Sequence, residues 1–395
     1  MELYIVLLSI IIFVLIGLYE KKSNDKNVEK IPIRINVNGI RGKSTITRLI
    51  TSILQESDYF VAGKTTGSSP RLFGVGIDEE IEIVRNPKGV SISEQLSVIK
   101  WAAENDYDAL VCECMAVNPE YQKVYQEEMI KANIGVIVNV LEDHMDVLGP
   151  TLDEVALSFS PTIPYNGYLV IQDNQFRDYF KEIAKSRNTK VIVADEAQIP
   201  QGYLDQFDFV VFPNNIAIAL GVAKALNISE EDALKAMLKT NPDPGSLRFS
   251  NHLIDDFSFR FINGFAINDP QSVLESYDML MDRKIIGDVP IILFNGRSDR
   301  IDRTIQFVED CFPYIPSKIK IISVGEEVST IEKAFKDNKI PNAISYTEIQ
   351  KDDYGWEKLY EAFNGNTVFA VGNIHGCGYD IIDDLERRSE KNDNY

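Results

Sequence analysis

The sequence predicts an α/β protein whose central domain is a doubly wound, mostly parallel sheet. A smaller, Rossmann-like α/β domain follows it, and one transmembrane helix precedes it. Three observations support this prediction. An apolar strand pattern at 33–37 runs into a glycine turn and then into a helix pattern. Similar strand and helix patterns alternate along most of the chain, as βαβ units require. An uncharged apolar run occupies residues 3–18.

Composition limits the class of protein. A chain of 395 residues, 45% hydrophobic and 25% charged, is typical of a globular protein with two or three domains. A formal net charge of -20 argues against a nucleic-acid surface, which needs a basic stripe. Four irregularly spaced cysteines predict reduced thiols, and three histidines without a C-x-x-C pair argue against structural zinc.

The apolar run at the N-terminus is predicted to be an uncleaved membrane anchor, residues 1–22. Its length of roughly 17 residues is at the short limit for spanning a bilayer. A cleaved signal peptide is less favoured, because no basic residue precedes the run and no A-x-A-like site follows it. The lysines from Lys21 onwards place that flank in the cytoplasm. We expect Asn24–Glu29 to form a short polar linker to the folded body.

A phosphate-binding loop is predicted after the first strand. Its residues are Gly39, Arg41, Gly42, Lys43, Ser44 and Thr45. The glycines let the backbone approach an anion, the lysine supplies a charge for terminal phosphates, and a hydroxyl can bind magnesium. The spacing G-x-x-G-K-[ST] is short, with Val37 where the longer motif has its first glycine, so the motif alone also fits an incidental turn. The flanking strand and amphipathic helix favour phosphate binding.

Acidic residues end two later strands. Glu113 closes an apolar run, and a buried carboxylate is costly unless it is paired or binds metal. Asp143 and His144 follow the strand predicted at 134–140. Because ligands of doubly wound sheets bind at the carboxyl ends of the strands, we expect these residues to join the phosphate loop in one site. A solvated glutamate and a helix-start histidine are the alternatives. The turn at 65–71 lines the same cleft or is a plain surface loop.

The remaining elements alternate as expected for two α/β domains. In the central domain, helices are predicted at 92–103, 119–131, from 152, 215–226 and 230–239, and strands at 59–64, 168–171, 191–193 and 209–212. The N-P-D-P-G segment at Asn241–Gly245 is the strongest breaker, so we predict domains at 31–241 and 245–388. Later strands are predicted at 259–262, 290–294, 319–324 and 367–371, with a helix from Asp269 to Arg283.

A dense basic turn, N-G-R-S-D-R-I-D-R, follows the strand at 290–294 and contains Asp299 and Arg300. In an acidic chain such a cluster favours an anion site. The alternative is a solvated helix start held together by salt bridges.

The order of these motifs resembles that of the Mur-type ATP-dependent amide ligases. The resembling segments are G-I-R-G-K-S-T from Gly39, the strand-end Glu113, and N-V-L-E-D-H-M-D-V-L-G from Asn139. N-I-A-I-A-L from Asn215 and the turn at 296–300 are similar to later motifs of the family. The anchor joined directly to the central domain, with N-G-F-A-I-N-D-P-Q-S and N-G-R-S-D-R, is most similar to the ligase subunit of poly-γ-glutamate synthases.

The resemblance implies roles for individual residues. Lys43 would hold the β- and γ-phosphates of ATP, Ser44 and Glu113 one Mg²⁺, and Glu113 with His144 a second. Asn215 would contact adenine, Arg248 the γ-phosphate, and Asp299 and Arg300 the nucleotide. The catalytic residues implied are Lys43, Glu113, His144 and Arg248. Ser160 replaces the family's carbamylated lysine, and F-A-I-N-D-P replaces its ribose-binding turn, so those contacts would differ.

The resemblance also implies the reaction. ATP would activate a γ-carboxylate as an acyl phosphate, and the amine of glutamate would attack it to extend poly-γ-glutamate. Small membrane subunits of a synthase and export complex would be partners, at the cell membrane with a cytoplasmic catalytic body; a homo-oligomer is also compatible. Two other functions fit the motifs. One is a membrane-anchored P-loop ATPase with a regulatory or assembly role, and the other is a different Mur- or folylpolyglutamate-type ligase.

Overall fold

The structure is a computed structural model that describes residues 2–66, 70–84, 92–142, 145–243, 247–267, 269–352 and 355–392. The chain divides into two compact units. The first comprises residues 1–207 and 211–244, and the second comprises 208–210 and 245–395.

The first unit is built on an eight-stranded sheet. Its strands are β1 (Ile33–Asn38), β2 (Val61–Lys64), β3 (Arg71–Gly74), β4 (Ile81–Glu82), β5 (Ala109–Glu113), β6 (Ile134–Ile137), β7 (Tyr168–Gln172) and β8 (Lys190–Ala194). Their order is β4-β3-β2-β5-β1-β6-β7-β8, and only the pairs with β3 are antiparallel. The predicted doubly wound, mostly parallel sheet is therefore confirmed, and β1 lies near its centre.

Helices cover this sheet. They are α1 (Glu2–Lys30), α2 (Lys43–Gln55), α3 (Ser93–Glu104), α4 (Pro119–Val124, continued by a π-helix at Tyr125–Ile130), α5 (Met145–Leu148), α6 (Leu152–Phe159), α7 (Arg177–Ser186), α8 (Pro213–Ala225) and α9 (Glu230–Met237). One layer packs α2 with α8 and α9, and another packs α1 with α3 and the π-helix. Asn118, Thr151 and Ser229 cap α4, α6 and α9 with their side chains.

The N-terminal helix corrects one prediction. Asn24–Glu29 is not a linker, because α1 continues without a break to Lys30. Its polar residues have partners on the domain. The side-chain amide of Asn24 donates to the carbonyls of Glu128 and Met129 at 3.0 and 2.8 Å. The apolar part is exposed, and the helix is long and apolar enough to cross a membrane, with a mean hydropathy of 2.1 over its most apolar window.

The second unit is built on a six-stranded sheet. Its strands are β9 (Arg248–Ile254), β10 (Phe257–Asn263), β11 (Ile291–Gly296), β12 (Ile319–Gly325), β13 (Ala343–Glu348) and β14 (Thr367–Val371). The order is β13-β12-β11-β14-β10-β9, and only β9–β10 is antiparallel. Helices α10 (Pro270–Asp282), α11 (Ile301–Asp310), α12 (Ser329–Lys336), α13 (Glu357–Phe363) and α14 (Cys377–Asn392) surround it.

Several short or edge elements also differ from the sequence predictions. The strand predicted at 209–212 is wrong: Phe209 makes one isolated bridge to Arg248, and Pro213 already begins α8. The sequence patterns also missed β3, β4, β9 and β13. The strands β3 and β4 have only four and two residues, too few for a recognisable pattern. The edge strands β9 and β13 have exposed faces that leave no alternating apolar pattern.

Candidate functional site

The loop after β1 turns sharply at two glycines. Gly39 has a φ of +134°, and a Cβ there would lie 3.0 Å from the Cβ of Val138. Gly42 has a φ of +83°, and its Cβ would lie 2.9 Å from Nδ2 of Asn215. Both positions therefore combine a left-handed backbone with close neighbours, which only glycine tolerates. The tight path brings the chain directly into the first turn of α2.

The first turn of α2 is a potential anion site. Gly42 precedes the helix without a capping side chain, so the N–H groups of the first turn keep no helical partner. The Nζ of Lys43 folds back onto the carbonyls of Gly39 and Ile40, at 2.9 and 2.8 Å. A positive side chain and free N–H groups thus lie at the positive end of one helix dipole, an arrangement that favours phosphate.

Asn139 holds the loop from the neighbouring strand. Its Oδ1 accepts from the N–H groups of Ile40 and Arg41 at 3.0 and 3.1 Å, and its Nδ2 donates to the carbonyl of Arg41 at 3.0 Å. These bonds orient the backbone of the loop. The backbone of Arg41 is therefore engaged, and the part of its side chain in the predicted phosphate-binding loop stays a prediction.

Glu113 ends β5 beside this loop, as the sequence predicts. Its side chain is only 4% exposed, and β5 pairs with β1 so that Glu113 lies opposite Val37. Its Oε2 accepts from the Ser44 hydroxyl at 2.9 Å and from the N–H of Thr66 at 2.8 Å. Thr66 belongs to the turn at 65–71, so this part of the turn borders the site instead of forming a plain surface loop.

Two buried amide pairs connect the loop strand to α4 and its π-helix. Asn38 donates to Gln122 at 2.7 Å and accepts from the N–H of Gly39 at 2.8 Å. Asn36, two residues earlier on the same face of β1, donates to Gln126 at 3.0 Å. The helix is thereby tied to β1 at two points, and π-helical turns of this kind are frequent at functional sites.

A cavity of about 250 Å³ lies beside the loop. Gly39 and Lys43 line it on one side, Glu113 forms part of its wall, and Val117 and Phe159 supply apolar surface. A small or extended substrate entering here would meet a lysine, a carboxylate and a helix N-terminus together.

Two kinds of polar residue near the site do not act as nucleophiles. Burial raises the pKa of Cys112 to about 11 and that of Cys114 to about 12, so both stay protonated thiols at neutral pH. Ser160 is 7% exposed; it bonds the carbonyl of Ala156 and the hydroxyl of Tyr179, and neither contact is with the loop.

Three other predicted site residues are Asn215, Asp143 and His144. Asn215 is 4% exposed, and its Oδ1 accepts from the N–H of Phe212 at the start of α8, while its Nδ2 abuts Gly42. Its contact with adenine stays a prediction. Asp143 and His144 lie outside the described residues. In the described part of the chain, no group of three or more His, Cys, Asp or Glu side chains is arranged to hold a metal ion.

Three predicted nucleotide ligands lie in the second unit. Arg248 is the first residue of β9 and is exposed. Asp299 and Arg300 lie in a 3₁₀ turn after β11, where Asp299 pairs with Arg297 at 2.8 Å. That exposed ion pair matches the alternative described for the basic turn, without excluding an anion site. The nucleotide contacts of these residues stay predictions.

Sequence reasoning missed several residues that shape the site. Asn139 stood in a recognised motif but was not assigned a role, and Thr66 stood in a turn whose role was left open. Asn38 and Gln122 gave no signal, because each amide acquires its partner only across a sequence separation of 84 residues.

Comparison with known proteins agrees with this geometry. Residues 37–214 match the Mur ligase middle domain, and residues 252–388 match the poly-gamma-glutamate synthase CapB C-terminal domain. The chain is 46% identical over 387 residues to capsule biosynthesis protein CapB of Bacillus anthracis, which covers 96% of this chain and 82% of that protein. It is 45% identical over 390 residues to PGA synthase CapB of Bacillus subtilis (strain 168), covering 98% and 99%.

A solved structure shares the fold. The bifunctional folylpolyglutamate synthase/dihydrofolate synthase of Yersinia pestis, complexed with AMPPNP and a Mn ion, superposes with a TM-score of 0.61 at 13% identity. The match covers 93% of this chain and 92% of that one.

Proposed function

Because the chain belongs to the CapB family of poly-γ-glutamate synthases, built on the Mur ligase fold, it is an ATP-dependent amide ligase, and we propose that Gly39–Thr45 and Glu113 form its catalytic centre. The ligase makes poly-γ-glutamate. The observation that best supports this centre is the contact between Ser44 and the buried Glu113 at the first turn of α2.

We propose that the loop binds the phosphates of ATP. The first-turn N–H groups of α2 would receive phosphate oxygens, and Lys43 would exchange its two loop carbonyls for the β- and γ-phosphates. That exchange is easy to accommodate, because a lysine keeps its three donors on a flexible stem. Asn139 would keep the backbone in place during the exchange. Arg41, Asn215, Arg248, Asp299 and Arg300 are proposed as further nucleotide contacts.

The residues present fit Mg²⁺. A hydroxyl and a carboxylate lie 2.9 Å apart beside the proposed phosphate site. Magnesium in phosphate-transfer sites takes one or two protein oxygens and fills its octahedral shell with water and substrate phosphates. Ser44 and Glu113 would hold such an ion, which when bound neutralises charge on the transferred phosphate. His144 is proposed as a ligand of a second ion.

The reaction needs no nucleophile from the protein. The protein has to position the substrates and stabilise the charge on the phosphoryl group. A carboxylate oxygen attacks the γ-phosphorus of ATP, ADP leaves, and an acyl phosphate forms. The amine of the next glutamate then attacks the acyl carbon, phosphate leaves, and the amide nitrogen loses a proton. Lys43 and the N–H groups of α2 would stabilise charge on the phosphoryl oxygens.

The function is tested with the full chain in native membranes. ATP, Mg²⁺ and glutamate are supplied, with and without poly-γ-glutamate, and ADP and the product are quantified by mass spectrometry. We expect glutamate-dependent ADP release and a γ-linked polymer. ATP hydrolysis that is independent of glutamate under every combination would instead indicate an ATPase with a regulatory role.

A substitution tests the proposed centre. We expect Glu113→Gln to lower the rate of amide formation by about a hundredfold, because the neutral amide binds Mg²⁺ weakly. The Mg²⁺ concentration for half-maximal rate should rise as well. Glu104→Gln, at the exposed end of α3, is the control and should behave like the wild type. Wild-type rates and Mg²⁺ dependence in Glu113→Gln would remove Glu113 from the site.

We further propose that α1 anchors the ligase in the cell membrane with its catalytic body in the cytoplasm. The exposed apolar surface of residues 4–19 supports this, as do the lysines after it. Small membrane subunits of a synthase and export complex are the proposed partners, because an exposed span can pack against other membrane helices.

A further inference from the structure

A buried arginine joins the nucleotide-binding helix to the end of the first unit. Arg48 lies on α2, one turn beyond Ser44, and its side chain is 2% exposed. Its Nη1 donates to Oε1 of Glu80 at 2.7 Å and its Nη2 to Oε2 at 2.8 Å. Two parallel bonds of this kind fix the orientation of both side chains as well as their separation.

The same pair holds Asn241. Arg48 Nη1 also donates to the main-chain carbonyl of Asn241 at 3.2 Å, and Nδ2 of Asn241 donates to Oε1 of Glu80 at 2.9 Å. The guanidinium lies over the ring of Phe73, 4.3 Å from its centroid. Asn241 stands in residues 240–243, which we call the strap, immediately before the chain passes into the second unit after residue 244.

Glu80 stays ionised at neutral pH. Burial by itself would raise the pKa of Glu80, but the hydrogen bonds and charge of Arg48, with the amide of Asn241, hold that pKa below its usual value. The contact with the strap is therefore present throughout the physiological range.

This contact lies close to the proposed catalytic centre along α2. Arg48 follows Ser44, which bonds Glu113, by four residues, or about one helical turn. A purely apolar cluster would stabilise α2 at least as well as a buried ion pair. The ion pair adds a hydrogen bond of fixed direction to the main-chain carbonyl of Asn241.

We propose that Arg48, Glu80 and Asn241 are positioning residues that fix the point where the chain leaves the first unit, relative to the phosphate loop. The inference rests on the proposed function, because it concerns coupling between ATP consumption and amide formation. If the strap loses its contacts with Arg48 and Glu80, ATP still binds and the acyl phosphate still forms. Water then competes with the amine, so carboxylate and phosphate are released without an amide.

Three variants test the proposal in the full chain in membranes. Arg48→Lys keeps the positive charge but loses the two parallel hydrogen bonds of the guanidinium. Glu80→Gln keeps the size of the side chain and removes its charge. Asn241→Ala removes only the hydrogen bond from the Asn241 side chain to Glu80. ADP and amide are measured in the same reaction. We expect the kcat for amide formation to fall by about tenfold in Arg48→Lys and Glu80→Gln, with the KM for ATP unchanged. More than one ADP should be released per amide. Asn241→Ala should shift the ratio in the same direction, but less.

Matched controls come from positions away from the strap: Arg177→Lys, Glu231→Gln and Asn105→Ala. Hydrogen exchange of the strap amides provides a second measurement, and should be faster in the three strap variants alone. An unchanged ADP-to-amide ratio in folded Arg48→Lys and Glu80→Gln would overturn the proposal. So would a lower melting temperature accompanied by wild-type coupling, which indicates a merely structural pair. Failure of the wild type to make amide would instead overturn the proposed function.

Discussion

Asn139 shows how a single side chain can shape a phosphate site without touching phosphate. One amide satisfies two N–H groups and one carbonyl of the loop between Gly39 and Gly42. Those bonds leave the N–H groups of the next residues, at the first turn of α2, to face an anion. In the proposed site, Asn139 shapes the loop, Lys43 would supply charge, and Glu113 with Ser44 would supply oxygen ligands.

We expect Asn139→Ala to raise the KM for ATP by about tenfold, since each lost hydrogen bond to the loop is worth about 1 kcal/mol. The kcat should change less, because the groups that face the phosphates are retained. Steady-state kinetics with varied ATP measure both values. Asn105→Ala, at an exposed amide after the end of α3, is the control. A KM equal to that of the wild type would show that the glycine turn keeps its shape unaided.

The ionisation of Asp243 should make the folding stability of the protein depend on pH. Burial raises the pKa of this carboxyl above its usual value, and the charges of Glu113 and Glu80 add to the effect while Arg48 opposes it. The folded state thus binds the proton more tightly than the unfolded state. The carboxyl therefore costs nothing below the unfolded pKa, and destabilises the fold as the pH rises through the folded pKa.

Accordingly, Asp243→Asn should raise the melting temperature at pH 7, and the gain should shrink as the pH falls towards 4. Thermal unfolding over that range measures it. Asp288→Asn, on an exposed loop, should show no such trend. A gain that is independent of pH would mean that ionisation of Asp243 carries no cost.

At the scale of elements, α4 with its π-helix connects two parts of the first unit. It meets β1 through Gln122 and Gln126, and its last turn receives α1 through Asn24. Arg34, at the start of β1, adds bonds from its Nε to the carbonyls of Ile130 and Lys131, each at 3.1 Å. Helix α1 is therefore docked onto the first unit without a linker.

Loss of that docking should be measurable. We expect Asn24→Ala to lower the free energy of unfolding of the first unit by about 1–2 kcal/mol, because two carbonyls at the end of the π-helix lose a partner. Hydrogen exchange should increase in residues 125–131. Lys22→Ala, one face away and exposed, is the matched control. Equal exchange in both variants would show that α1 does not hold the π-helix.

At the scale of the molecule, the docking fixes where the end of α1 lies relative to the candidate site in the first unit. The contacts of α1 are with residues 128–131 and with the start of β1, at the amino edge of the sheet. The phosphate loop follows the other end of β1, roughly 20 Å away for a strand of six residues. The docked end of α1 therefore lies at the edge of the sheet opposite the loop at Gly39–Thr45.

Membrane attachment itself can be tested in the full chain. Leu8→Arg with Ile12→Arg places two charges in the apolar run, at a cost of about 3 kcal/mol each for insertion. We expect the wild type to need detergent for extraction and the double variant to be released by alkaline carbonate. Leu8→Ala with Ile12→Ala controls for side-chain loss and should stay in the membrane. Carbonate extraction of the wild type would contradict an integral anchor.

The sequence by itself determined the strand, glycine turn and helix that begin the first unit, the place of Glu113 at a strand end, and most core strands. Each of these depends on neighbours within a few residues. It also determined the family, since the motifs keep their order along the chain. It misjudged Asn24–Glu29 and the segment at 209–212, whose states depend on distant partners.

Only the tertiary structure decided which polar groups meet. Asn139 reaches the loop across 99 residues, Asn24 reaches the π-helix across 104, and Arg48 reaches Asn241 across 193. A hydrogen bond needs two groups within about 3 Å, and sequence patterns record only the periodic burial of each element on its own. The motif residues of the site can therefore be recognised in the sequence. The residues that orient them can be recognised only in the folded structure, where the strands have paired.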